Sequence, residues 1–265
     1  MESRKLFVLL FVFLIAAPGL SHAAKYKNSF GIDYTEEYLT PHDDYGSWHK
    51  VDMEYSRECS ETVKVVLRNA LLWRDGEDSG ISGGIGIYKD WTPRFYTYTG
   101  LSSGTDVSYI PQLWASQSFY FKVGPKGKTT VIPLGFSYIN SRSDHETYLV
   151  SSGIIAYRGK WIYAYGIRRN QSEPGSVVSF SHHGSIYYGK QGEQWLQLGL
   201  SIGKWAYLQT DVLDPEEIDR DSFTVSMSWR KWLKENYGIK TRVSYFNLED
   251  GYDKYGLEFG IFTEF

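Results

Sequence analysis

Apolar and polar residues alternate one by one along nearly the whole chain beyond residue 24. The clearest run sets Leu196, Leu198, Leu200 and Ile202 on one side against Gln197, Gly199, Ser201 and Gly203 on the other. Phe223, Val225, Met227 and Trp229 alternate in the same way with Thr224, Ser226, Ser228 and Arg230, as do Leu257, Phe259 and Ile261 with Glu258 and Gly260. Successive side chains of an extended backbone point to opposite faces, so each run predicts a strand with one oily and one wet face. Such segments fall near residues 28–39, 47–59, 62–73, 81–90, 94–102, 109–123, 129–140, 146–158, 161–170, 177–189, 194–206, 222–232, 238–246 and 255–265. That is about fourteen strands; merging the weak pair around Gly76 to Gly80, or reading 94–123 differently, gives about twelve.

The connections alternate too. Tight ones fall around Ser60, Thr92, Gly124 to Lys128, Gly159-Lys160, Lys190 to Glu193 and Lys234 to Tyr237. Between them lie longer or more acidic ones: Thr40 to Gly46, Arg74 to Gly80, Ser102 to Ser108, Ser141 to His145, Asn170 to Ser176, Asp211 to Asp221 and Asn247 to Lys254. Short turns on one side and longer loops on the other, with an even strand number, predict an all-β transmembrane antiparallel up-and-down barrel with both ends in the periplasm. A soluble sandwich also alternates, but it hides its apolar faces in a shared core and gives no reason for aromatic residues to concentrate.

The start of the chain sets the compartment. Arg4 and Lys5 precede an apolar run from Leu6 to Ala17, then Pro18-Gly19 and the small residues of Ser21-His22-Ala23. This is the layout of a cleaved secretory signal over residues 1–23, too short to span a bilayer as a helix, with the mature chain and its single barrel domain running over 24–265. Mean hydropathy is only -0.37, yet aromatic residues make up 17% of the chain, including 22 Tyr and 9 Trp. A wall that is wet on one face averages to low hydropathy while Tyr and Trp collect at the two membrane interfaces, so composition and pattern agree on the bacterial outer membrane. Cys59 is the lone cysteine, which excludes an internal disulfide, and a net charge of -3 argues against a nucleic-acid binder.

The final segment carries the most information. Stepping back by twos from Phe265 gives Thr263, Ile261, Phe259, Leu257 and Tyr255, a mostly apolar row that ends on an aromatic. It resembles the C-terminal signal engaged by the barrel-assembly machinery, and its edge is a natural template for pairing during insertion. Three further stretches carry a family resemblance: Ile87-Tyr88-Lys89-Asp90-Trp91-Thr92-Pro93-Arg94, the Gln194 to Trp205 strand, and Ser226-Met227-Ser228-Trp229-Arg230. On these the chain resembles the YaiO-type outer-membrane barrels. The resemblance implies a small outer-membrane barrel and brings no catalytic residues; some relatives place the barrel after a tetratricopeptide region, which this chain lacks.

If the apolar rows face lipid, the opposite rows line the lumen. Its charge candidates are Asp33, Asp52, Glu54, Arg68, Arg168, Arg230, Lys240, Arg242 and Glu258. Closure brings the last strands beside the first, so Arg230, Lys240 and Arg242 are expected near Glu258, Asp33 and Glu54, paired because an unpaired buried charge is costly. They form either a charged eyelet selecting small polar solutes or a network that fills and stiffens the interior. Acidic loops (Asp43-Asp44; Asp75, Glu77 and Asp78; Asp214, Glu216, Glu217, Asp219 and Asp221) match no calcium-loop spacing and read as solvated tips. His182-His183-Gly184-Ser185 places His183 and Ser185 on one face, but a hydrolase also needs an orienting group and an oxyanion donor, so no enzyme is expected. No motif requires a cofactor or metal. The expected partners are outer-membrane lipid, lipopolysaccharide and the assembly machinery. The function expected is a pore or export channel for small or extended polar solutes such as glycans, with a non-conducting interaction barrel as the alternative and a lipid hydrolase third.

Overall fold

The structure is a computed structural model describing residues 27–41, 46–125, 129–141, 145–205 and 220–265. The signal segment 1–23, Asp43-Asp44 and Asp214, Glu216, Glu217 and Asp219 of the acidic loop lie outside the described residues. Fourteen strands follow one another: β1 (Asn28–Thr40), β2 (Ser47–Ser60), β3 (Val63–Arg74), β4 (Gly80–Thr92), β5 (Phe95–Gly104), β6 (Leu113–Val123), β7 (Thr130–Asn140), β8 (Glu146–Arg158), β9 (Trp161–Glu173), β10 (Val177–Lys190), β11 (Gln194–Trp205), β12 (Arg220–Lys234), β13 (Tyr237–Leu248) and β14 (Asp253–Glu264). Each pairs with its sequence neighbours, and β1 pairs antiparallel with β14, closing the barrel. The count is fourteen; the twelve-strand reading is excluded.

Closure leaves every strand with two partners, the only way a sheet can sit in hydrocarbon without orphaned backbone groups. The seam is continuous from Ser29 opposite Glu264 to Thr40 opposite Asp253. Register shifts occur between Glu58 and Ser60, Asp90 and Thr92, and Trp232 and Lys234, each beside a short turn, where an extra residue twists the strand end into the reversal. The two-residue turn after β8 uses Gly159 at φ 64°, a left-handed conformation that glycine adopts without steric cost.

One expected boundary is wrong. Residues 109–112 do not begin a strand; β6 starts at Leu113, and Tyr109 and Ile110 belong to a loop folded back inside the barrel mouth, each only 3% exposed. Their apolar character reflects burial in that loop, and strand periodicity cannot distinguish the two.

The outside is oily. Leu257 is 59% exposed, and Leu198, Val243 and Ile261 are similarly bare. Exposure of this kind over a whole cylinder is stable only in lipid. Aromatic residues band the rims: Tyr245 packs on Tyr255 at 5.2 Å near the loop end, and Trp161 on Tyr188 at 4.7 Å near the turn end. Two outward histidines sit among them, and each bonds a tyrosine hydroxyl on the next strand: His49 Nδ1 with Tyr34 at 3.0 Å, His182 Nδ1 with Tyr165 at 2.8 Å. Lipid offers no alternative partner, so these pairings keep the imidazoles satisfied.

Candidate functional site

Fourteen strands spaced about 4.8 Å and tilted about 40° enclose a backbone cylinder of roughly 14 Å radius, so the inward side chains decide what space remains. Registers fix which these are, because residues opposite one another share a face. The inner rows pass through Asp33, Asp52, Arg68, Gly84, Ser102, Trp114 and Ile139, then through Ser151, Arg168, Ser181, Gly203, Ser222, Arg242 and Glu258. All nine lumen candidates therefore point inward, but they are not spread evenly.

Eight of those nine lie on one wall, β12–β14 joined to β1–β3. Lys240 Nζ reaches Asp33 Oδ2 at 2.7 Å across the intervening β14. Gly260 stands between them, and a Cβ there would lie 1.8 Å from Asp33 Oδ1, so the bridge passes over a residue with no side chain. Arg68 meets Glu54 at 2.9 Å and also donates to the Tyr98 hydroxyl at 3.1 Å. Asp52 pairs with Lys50 at 2.9 Å. Arg230 lies between the rings of Trp232 and Phe262, 4.6 and 3.9 Å from their centroids, and bonds Glu264 at 3.2 Å.

Two of these differ from the expected arrangement. Arg230 takes Glu264 as its carboxylate partner, because the bulge near Trp232 and the aromatic clamp hold it at the turn end of the wall. Arg242 and Glu258 face each other in register without forming an ion pair among the described residues. Sequence reasoning missed Lys50, Glu264 and the Glu37–Lys254 bridge at 3.3 Å. The signal for Glu264 was available: the same alternation that turns Ile261 and Thr263 outward turns it inward.

The opposite wall, β4–β11, is built from small residues. Gly84, Gly86, Gly100, Ser116, Ser137 and Ser151 all stand on its inner face. A cavity of about 610 Å³ lies against it, another of about 370 Å³ adjoins through shared Ser82, Ser102, Trp114 and Ser137, and a third of about 400 Å³ meets the first at Leu72, Tyr109 and Thr224. Toward the turns the wall becomes aromatic: Tyr96 stacks on Tyr120 at 4.4 Å, and Tyr88, Tyr96 and Tyr157 border a space of about 430 Å³.

The mouth is narrowed by the loop between β5 and β6. Ile110 sits where Cβ atoms of Gly80 and Gly104 would stand, 2.5 and 2.1 Å from its own side-chain atoms. Tyr109 donates to the Asp78 carbonyl at 2.5 Å, with the Leu72 carbonyl at 3.2 Å. Burial pushes its phenol above the ordinary range, although the neighbouring Arg74 opposes this. The Arg74 guanidinium lies over both the Trp48 ring at 3.7 Å and the Tyr109 ring at 4.3 Å, pinning the loop to the wall.

The remaining candidates are simply placed. Tyr255, Leu257, Phe259 and Ile261 form an outward row, and Phe265 ends it. His183 and Ser185 share the inner face, while His182 points outward to Tyr165. Cys59 is exposed near the turn end. No metal-competent cluster of His, Cys, Asp or Glu occurs among the described residues.

A closed cylinder with an apolar, aromatic-banded exterior and a charged interior defines an integral outer-membrane β-barrel of porin-like form. The chain belongs to the YaiO membrane beta barrel domain family, which it matches over residues 27–208. Compared with curated proteins, it has no significant match. Among solved structures it is similar to the outer membrane protein Omp33 of Acinetobacter baumannii, at TM-score 0.55 and 11% identity over 91% of this chain and 98% of that one. It is also similar to OpdO of Pseudomonas aeruginosa (0.51, 10% identity, 90% and 96%) and to an anion-selective porin of Comamonas acidovorans (0.50, 8% identity, 90% and 98%). Likeness at this identity concerns the fold.

Proposed function

We propose that the protein is a pore or export channel for small or extended polar solutes, glycans included. The observation that carries this reading is the small-residue wall of β4–β11, which leaves adjoining cavities of about 610 and 370 Å³, continued along the charged wall by a third of about 400 Å³. A barrel meant to be solid would fill that side with large residues, as barrels near eight strands do. On the other wall the bridged charges hold a fixed field, so the passage is electrostatically lopsided. The signal peptide, the outer-membrane lipid and lipopolysaccharide contacts, and delivery by the assembly machinery are parts of the same proposal.

Single-channel recording in planar bilayers tests it. Steady openings that change when Arg230 or Arg242 is neutralised support a pore; silence over a range of voltages supports a non-conducting interaction barrel, the reading that the inward fold of residues 105–112 favours. We further propose that the chain is no hydrolase. His183→Ala is expected to leave phospholipid and lipopolysaccharide turnover unchanged, and a loss of turnover would reverse that.

A further inference from the structure

Arg168 is the one lumen candidate that stands apart from the charged wall. It projects from β9 into the cavity of about 610 Å³ and is exposed to it. Among the described residues it has no ion pair and no side-chain hydrogen bond, whereas Arg68 and Arg230 each hold a carboxylate. No Asp or Glu lines this cavity among the described residues; Lys204 is a second cationic side chain in its lining, and the rest of the polar lining is mainly serine hydroxyl, drawn from Ser102, Ser137, Ser151, Ser181, Ser201 and Ser222 on separate strands. His183 sits beside Arg168, its ring over Gly166, where a Cβ would lie 2.4 Å from Nε2. A guanidinium offers a planar fork that matches carboxylate or phosphate, and hydroxyls can donate to the remaining oxygens.

We propose that this cavity is a binding subsite for a small oxyanion, a carboxylate or phosphate carried by the solute, with Arg168 as its anchor and the serines as adaptable donors. The assignment rests on the lumen reading above and gives it a substrate class. A cation in a recess lined mainly by hydroxyls, with no carboxylate among the described residues, concentrates anions and lowers their cost of desolvation, whereas on the wall opposite the cations are already taken by the acids they bridge. Anions are therefore drawn along the β4–β11 side.

The test uses the full barrel in detergent micelles, titrated calorimetrically with inorganic phosphate and, separately, with gluconate. At least one is expected to bind saturably, and Arg168→Gln is expected to weaken that binding at least tenfold, with Arg168→Lys between the two. The stronger of the two ligands identifies the oxyanion. Preserved heat-modifiable migration of the variants shows that the barrel is intact. In bilayers, Arg168→Gln is expected to move the reversal potential in a salt gradient toward cation preference. Binding without conductance keeps the subsite and removes the pore; conductance with no binding of either anion, or with binding unchanged in Arg168→Gln, overturns the subsite and leaves the pore.

Discussion

Replacing Gly260 by alanine tests whether the seam depends on the Lys240–Asp33 bridge crossing a bare position. The added Cβ would lie 1.8 Å from Asp33 Oδ1 and 2.8 Å from the Ile32 carbonyl oxygen, so Asp33 must move and the 2.7 Å contact with Lys240 is lost. The two side chains are 13% and 26% exposed, between the fully buried and the surface case. Breaking a buried pair costs about 3–5 kcal/mol and an exposed one about 0–1. The expected loss for Gly260→Ala is therefore about 2–3 kcal/mol in urea unfolding in lipid vesicles, read from the midpoint of tryptophan fluorescence. In an Asp33→Ala background only the carbonyl contact remains, and the same substitution should cost about 1 kcal/mol. The difference is the coupling that a mutant cycle isolates. An equal cost in both backgrounds, or less than about 0.5 kcal/mol in the parent, would refute the reasoning, because the bridge would then not depend on the gap.

Gly104→Ala should push Ile110 off the wall and swing residues 105–112 outward, raising conductance and exposing the loop to protease, with Ile110→Ala in the same chain restoring both. No change in either readout would show that the loop does not narrow the mouth. Tyr165→Phe removes the hydroxyl bonded to His182 in the lipid face and should lower the urea midpoint by the equivalent of about 1–2 kcal/mol, with Tyr34→Phe doing the same to His49. Deleting Phe265 should reduce the outer-membrane level several-fold in cells while spontaneous folding into thin-bilayer vesicles proceeds as before; equal loss in both settings would make Phe265 a structural residue only.

Most of the fold was legible because a barrel wall imposes one rule on every strand. Leu196 to Ile202 and Leu257 to Ile261 announce their lipid faces by alternation alone, and that alternation also turned all nine lumen candidates inward. What alternation does not encode is stagger. Which acid Arg230 or Lys240 meets depends on register across β14, on the bulge near Trp232 and on the absence of a side chain at Gly260. The loop containing Tyr109 and Ile110 was misread for a related reason: a hydrophobic pair buried against glycines in a loop has the same composition as a strand end. Gly80 and Gly104 made that burial possible, but a glycine in a sequence does not say whose side chain occupies the vacancy.

The distribution of charge along the wall follows from closure. Most of the bridges between strands join β13 to β1, β14 to β1, β12 to β14 and β3 to β2, around the one junction whose partners are farthest apart in sequence; the exception among the described residues is Lys122–Asp90 at 3.6 Å, from β6 to β4 near the turns. That junction closes the longest loop, so its registry gains most from side chains that recognise one another. Concentrating bulky, paired charges there relieves β4–β11 of the need to hold the cylinder, and those strands can carry glycine and serine on their inner face. The charged seam and the small-residue wall are thus two sides of one constraint, and altering the seam pairs should disturb closure before it disturbs the cavities opposite.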